Sequence, residues 1–184
     1  IRSSGRTAKG GMPQVRISLS TFIPKPHTPF QWVAQESAEQ LSAKHELLKQ
    51  GLRRKGSRLS WQDPEVSLLE AALSRGDRRL GKVIYQAWRS GSTFDAWNER
   101  FNYQNWLDAF KKSGLEPGFY AQRERPLDEP LPWAHIDTGV TSAFLKQEYQ
   151  RAIEGKETPD CHYKPCNACG LERWQSACQQ KLGA

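Results

Sequence analysis

Three prolines within six residues, Pro24, Pro26 and Pro29, leave this chain few local options where they stand. Just before them, Val15, Ile17 and Leu19 alternate with Arg16, Ser18 and Ser20, which is the period of a strand with one apolar face. Proline fixes φ, lacks an amide proton and biases its preceding residue away from the helical region. The stretch through Trp32 can therefore neither join a ladder nor wind into a helix. The pattern predicts a short strand that stops in a stiff, extended loop. β/α barrels present their chemistry on loops at the carboxyl ends of strands, so this loop is a candidate edge of an active site.

Helical punctuation dominates the rest. Ser37-Ala38-Glu39-Gln40 has the form of a capping box, and Leu41, His45, Leu48 and Leu52 follow on one helical face. The exit Arg53-Arg54-Lys55-Gly56 suits a helix C-terminus, and Arg58-Leu59-Ser60-Trp61 reads as a short second strand. Asp63 and Pro64 form a cap and first-turn proline for a helix with the stripe Val66, Leu69 and Leu73. Gly76 is expected to stop it and Asp77 to cap the next, whose stripe is Leu80, Ile84 and Trp88, giving an αα-hairpin. Turn chemistry thus accounts for Arg75-Gly76-Asp77, which would otherwise suggest an adhesion motif. Tyr103, Trp106, Leu107 and Phe110 keep helical spacing up to Ser113-Gly114 and read as core, with base stacking as the alternative. Pro126, Pro130 and Pro132 stiffen a connector. A last helix from Thr141 is expected to bury Phe144, Leu145, Tyr149 and Ile153.

Charge is uneven. Residues 1–92 hold 16 Lys/Arg against 7 Asp/Glu, whereas 93–184 hold 11 against 13. Solvated helix faces and a basic N-terminal linker explain the excess; contact with RNA is the sharper alternative. No apolar run nears the roughly 18 residues of a membrane span, and nothing resembles a secretory leader. A cytoplasmic, membrane-free protein is expected. The opening Ile1 to Gly11 reads as linker, so the chain is expected to be a piece of a longer polypeptide.

All 4 cysteines fall in the last 24 residues, whereas disulfide scaffolds spread theirs to close loops. Cys161, Cys166 and Cys169 have C-x4-C-x2-C spacing, with Cys178 beyond. A C-x2-C pair lets two thiolates meet one ion while the intervening amides turn toward sulfur, and Gly170 gives the backbone room. The four suit zinc or an iron–sulfur cluster. His162 is an alternative to Cys178 as fourth ligand, and free thiols in a tail are the bland alternative.

The loop from Phe22 to Trp32 is similar to the sixth-strand region of radical S-adenosylmethionine proteins that carry an N-terminal cobalamin-binding domain. The runs Leu59 to Ala71, Ser74 to Gly81 and Glu124 to Trp133 resemble one uncharacterised subfamily of these, whose members also end in a Pro-Asp-Cys tail. The likeness extends from residue 12 to about 170. It implies a parent enzyme whose C-x3-C-x2-C loop holds a [4Fe–4S] cluster, on which S-adenosylmethionine is cleaved to a 5′-deoxyadenosyl radical, with cobalamin as a further cofactor. Carried over, it touches the strand end (Ser18, Ser20, Phe22) and the loop (Lys25, His27) as residues lining the cofactor or substrate cavity. The cluster motif is absent from this chain, so no catalytic residue is expected here. In the tail, the relatives' further cysteine after Cys-Gly is replaced by Leu171 and Glu172.

A full barrel needs roughly 200–250 residues. The implied fold is thus α/β to mainly α: the C-terminal remnant of a partial β/α (TIM-like) barrel, a mostly helical extension and a Cys-rich tail. Boundaries are expected at 1–13 (linker or truncated barrel segment), 14–57 (strand, proline loop and helix of the barrel), 58–156 (helical extension) and 157–184 (tail). Partners would be the rest of the parent polypeptide and an unidentified substrate. Alone, the first strand should have no sheet to join. The competing class is a non-catalytic, basic, metal-stapled helical module that binds RNA or a protein.

Overall fold

The alternating run before the prolines forms β1 (Val15–Leu19), and the capping box opens α1 (Ala38–Gly51) in the computed structural model, which describes residues 14–52, 57–97, 99–175 and 178. Ser37 Oγ accepts from the Gln40 amide, and the Ser37 amide donates to Gln40 Oε1 at 2.8 Å, so two otherwise orphaned donors are satisfied. α1 buries Leu41 and His45, and the His45 ring stacks on Trp61 at 4.7 Å. Leu48, expected inside, is exposed. The basic exit at 53–56 and the linker at 1–13 lie outside the described residues.

Trp61 ends β2 (Ser57–Trp61), which pairs with β1 in parallel, Ile17 opposite Leu59 and Leu19 opposite Trp61. The expectation that β1 would lack a sheet is therefore corrected. β2 repeats its alternation in register, and α1 supplies the crossover a parallel pair requires. The sheet has two strands, so each is an edge on its far side among the described residues.

Five further helices follow: α2 (Pro64–Ser74), α3 (Leu80–Arg89), α4 (Tyr103–Lys112), α5 (Pro117–Ala121) and α6 (Ser142–Ile153). The fold is mixed α/β and mostly helical. α2 packs on α5 and α3 on α4, around a core that includes Leu69, Leu80, Val83, Trp106, Phe110 and Tyr120. α4 follows its expected stripe and ends at Ser113, with Gly114 at φ 67°. α3 does not. It buries Leu80, Val83 and Ala87, leaving Ile84 and Trp88 50% and 57% exposed. The small Val83 and Ala87 admit the bulky face of α4, whereas a stripe of Ile84 and Trp88 would hold the two helices apart. Ile153, expected to be buried on α6, also faces solvent.

The turn between α2 and α3 is the best-determined junction. Asp77 Oδ1 accepts from the Arg79 amide at 2.9 Å, and the Arg79 guanidinium closes back onto the same carboxylate. A β-carbon on Gly76 would lie 1.9 Å from Leu80 Cδ1 and 3.0 Å from the Ala72 carbonyl, so a larger residue would have to displace the buried Leu80 side chain. Arg75 is wholly buried. Its Nη1 donates to the Ala121 carbonyl at 2.6 Å, and its Nη2 to the carbonyls of Arg123 (3.2 Å) and Gln31 (3.5 Å). Arg125 Nη2 in turn donates to the Arg75 carbonyl at 3.0 Å. Burial, reinforced by Arg125 and Arg123 nearby, pushes the Arg75 guanidinium down to about 10, so it stays charged at neutral pH.

Arg75→Leu should lower unfolding stability by about 3 kcal/mol or more, because it strands carbonyls that a charged donor now satisfies; a shifted urea midpoint at unchanged slope measures this. Glu129 receives both Arg123 Nη atoms at 2.6 Å. Those hydrogen bonds first, then the charges of Arg123 and Arg125, hold its carboxyl below the ordinary value. A depressed folded-state pKa stabilises above the unfolded value of about 4.3 and is lost as pH falls through the folded one. Glu129→Gln should therefore be less stable than the parent at neutral pH, with the gap closing as acid denaturation is followed downward from the unfolded value of about 4.3 through the lowered folded one.

Candidate binding site between the proline loop and the tail

Proline stiffness carries the loop after β1 away from the sheet and across the helices. His27 takes the left-handed conformation, φ 58°, between Pro26 and Thr28, a cost that a non-glycine residue bears only where its surroundings hold it. They do so through Gln31, whose Oε1 accepts from the His27 amide at 3.0 Å and from Trp133 Nε1 at 2.7 Å. Phe22, Phe30, Tyr149 and Trp32 form a chain of ring contacts at 5.9, 6.1 and 6.0 Å that seats the loop on α6. Arg125 lies over Trp133 at 5.3 Å, and its amide donates to the Trp32 carbonyl at 2.8 Å. The connector with three prolines is thereby drawn against the loop.

The tail closes the other side. Thr158 donates to Glu148 on α6, and Arg151 Nη1 contacts both. At the far end the Cys169 carbonyl accepts from the Thr141 amide at 2.8 Å, directly at the start of α6. Gly139 and Gly170, at φ 86° and 110°, cross so closely that a β-carbon on Gly170 would stand 2.4 Å from the Gly139 carbonyl. Arg173 fastens the crossing, its Nε donating to the Gly170 carbonyl and its Nη2 to that of Gly139.

A cavity of about 420 Å³ lies between these parts, within the range of small-ligand sites. Leu131, Trp133, Ile136, Val140 and Leu145 supply apolar wall. Its polar lining comes from His27, Gln31, Asp137, Thr141, Ser142 and Arg173. Of the five residues expected to line a cofactor or substrate cavity, His27 alone reaches it. Ser18 and Ser20 sit exposed on and just after β1. Phe22 is exposed and meets Phe30 edge-on, and Lys25 Nζ is paired with Glu70 at 2.6 Å. Gln31, Asp137, Ser142 and Arg173 carried no motif. The pair of glycines at 139 and 170, each needed for a close backbone approach, was the available sequence signal.

In the tail, Cys166 Sγ accepts from the Ala168 amide at 3.4 Å, with Ala168 at φ 52°. That is the amide-to-sulfur turn expected of a C-x2-C pair. Cys161, Cys166, Cys169 and Cys178 are each partly buried. Among the described residues, no three or more His, Cys, Asp and Glu side chains gather as a metal-binding group. The Cys166 sulfur therefore has the local backbone turn of a C-x2-C pair. No described helix is long and apolar enough to cross a membrane.

No family model and no solved structure matches the chain. An uncharacterized protein of Methanocaldococcus jannaschii is 26% identical over 102 residues, 55% of this chain. The match spans 22% of that protein's length.

Gly170→Ala should release the tail from α6 without disturbing the helical core. In hydrogen exchange, the Thr141 amide should lose about tenfold or more of its protection while the Phe110 amide keeps its own.

Proposed function

We propose that the chain is the C-terminal part of a radical S-adenosylmethionine enzyme of the cobalamin-binding type, closing a β/α barrel and lining its substrate side. One observation carries this reading: β1, α1 and β2 form a strand–helix–strand unit whose two parallel strands each leave an edge unpaired among the described residues. Parallel sheets are ordinarily covered on both faces and extended on both sides, and an isolated pair this short is unstable by itself. Val15 is 41% exposed, and Arg16 and Ser18 face solvent, so a neighbouring strand and covering helix would satisfy what this pair leaves open. The proline loop leaves the carboxyl end of β1, where barrel chemistry collects.

In this reading the last barrel segment runs from residue 14 to 61, past the expected boundary at 57 because β2 ends at Trp61; 62–156 are the helical extension and 157–184 the tail. The [4Fe–4S] cluster and S-adenosylmethionine do not fit residues of this chain, whose cysteines lack C-x3-C-x2-C spacing; their ligands, and any cobalamin site, belong to the rest of the parent. Ser18, Ser20, Phe22, Lys25 and His27 would stand at the barrel mouth. The tail cysteines would take zinc or a second cluster, starting from the Cys166–Cys169 turn. A second reading, a module that binds RNA or a protein, draws on α3, where Tyr85 and Trp88 are exposed with rings 5.8 Å apart beside exposed Lys82 and Arg89.

The polypeptide encoded in the same frame upstream of Ile1 should contain C-x3-C-x2-C. Produced with residues 1–184 and reconstituted without oxygen, it should cleave S-adenosylmethionine reductively to 5′-deoxyadenosine. Absence of that motif, or salt-sensitive RNA binding by residues 1–184 that vanishes on Trp88→Ala, would transfer the assignment to the module.

A further inference from the structure

We propose that the cavity between the proline loop and the tail binds a small organic oxyanion, an apolar body carrying one carboxylate or phosphate. The inference stands on the cavity's own atoms and does not depend on which sheet β1 and β2 complete. Gln31 is 2% exposed, and both donors to its side-chain oxygen, the His27 amide and Trp133 Nε1, come from the protein. That fixes the orientation of the amide, because swapping N and O would set three donors against one another. Gln31 Nε2 then donates to no acceptor among the described residues, although the residue lines the cavity. The amide nitrogen opens onto the cavity with its protons unspent, so an acceptor placed there would complete its hydrogen bonding.

Around it the lining is rich in donors. Ser142 stands at the first turn of the twelve-residue α6, whose first two amides have no intrahelical partner. Arg173 reaches the cavity with Nη1 uncommitted, since Nε and Nη2 hold the glycine carbonyls. Thr141 Oγ1 already accepts from the Phe144 amide at 3.2 Å. The opposing group is Asp137, which accepts from the Gly139 amide at 2.8 Å and stands 3.7 Å from Arg173. It competes only weakly for Arg173, both side chains being about half exposed or more, and would yield that cation to a better-placed oxyanion. Trp133, Leu131, Ile136 and Leu145 leave apolar wall for the body of the ligand.

Benzoate, phenyl phosphate and the uncharged benzamide, titrated calorimetrically into the full 184-residue chain, test this. At least one of the two anions should bind saturably and benzamide should bind about tenfold or more weakly; whichever anion binds tighter identifies the head group. Gln31→Glu keeps an oxygen for His27 and Trp133 while turning the donor into a carboxylate, and should weaken the anion about tenfold or more, with a lower melting temperature because the new charge is buried. Asp137→Asn should tighten it several-fold by releasing Arg173. If Gln31→Glu fails to fold, Arg173→Gln reads the same loss from the opposite wall. Equal binding of benzamide and benzoate, no saturable binding of either anion, or weaker binding by Asp137→Asn would overturn the proposal.

Discussion

A single buried guanidinium holds the architecture together. Arg75 ends α2, and its protons go to carbonyls of the proline loop, of α5 and of the segment after it. These three segments otherwise have nothing regular in common: none is a strand, and two are not helices. Backbone groups drawn inside a protein need partners, and irregular segments cannot pair among themselves as ladders do. A planar, forked cation with five donors answers that need at one point. Arg125 returns the favour by donating to the Arg75 carbonyl, and Glu129 supplies countercharge to the cluster. Without this knot the loop after β1 would lose its tie to α2 and α5 and keep only its anchors on α6, Glu70 and the proline connector.

Gln31 extends the same logic to the cavity. Its backbone carbonyl meets Arg75, while its side-chain oxygen fixes His27 and Trp133. Position 31 thus couples the core to the candidate site through neighbouring atoms of one residue. The tail adds the far wall by a different device, the glycine-on-glycine crossing of residues 139 and 170 fastened by Arg173. The Cys166–Cys169 turn stands immediately before that crossing.

Much of the local structure was legible because it is written in nearest-neighbour chemistry. The capping box at Ser37, the proline start at Pro64, the start of the last helix at Thr141 and the stop at Gly114 formed where expected. The stripe of α3 was misread because Leu80 begins two interleaved apolar rows. Size matching against α4 selected Val83 and Ala87 over the more hydrophobic Ile84 and Trp88. Periodicity measures apolarity; it does not measure the space a partner leaves.

By itself the sequence determined the two strands, the starts of α1, α2 and α6, the end of α4, where proline denies regular pairing, and that the tail carries a C-x2-C turn. Each of these is decided within a few residues by backbone sterics, orphaned amides and side-chain period. It did not show α5, and Asp77 shapes the turn before α3 without capping that helix. Tertiary structure alone decided that β1 takes β2 as its partner, that Arg75 goes inside, and that Gln31, Ser142 and Arg173 meet around one cavity. Residues 31 and 173 are joined by no local pattern. They converge because buried carbonyls and closely approaching glycines must find partners wherever the folded chain presents them.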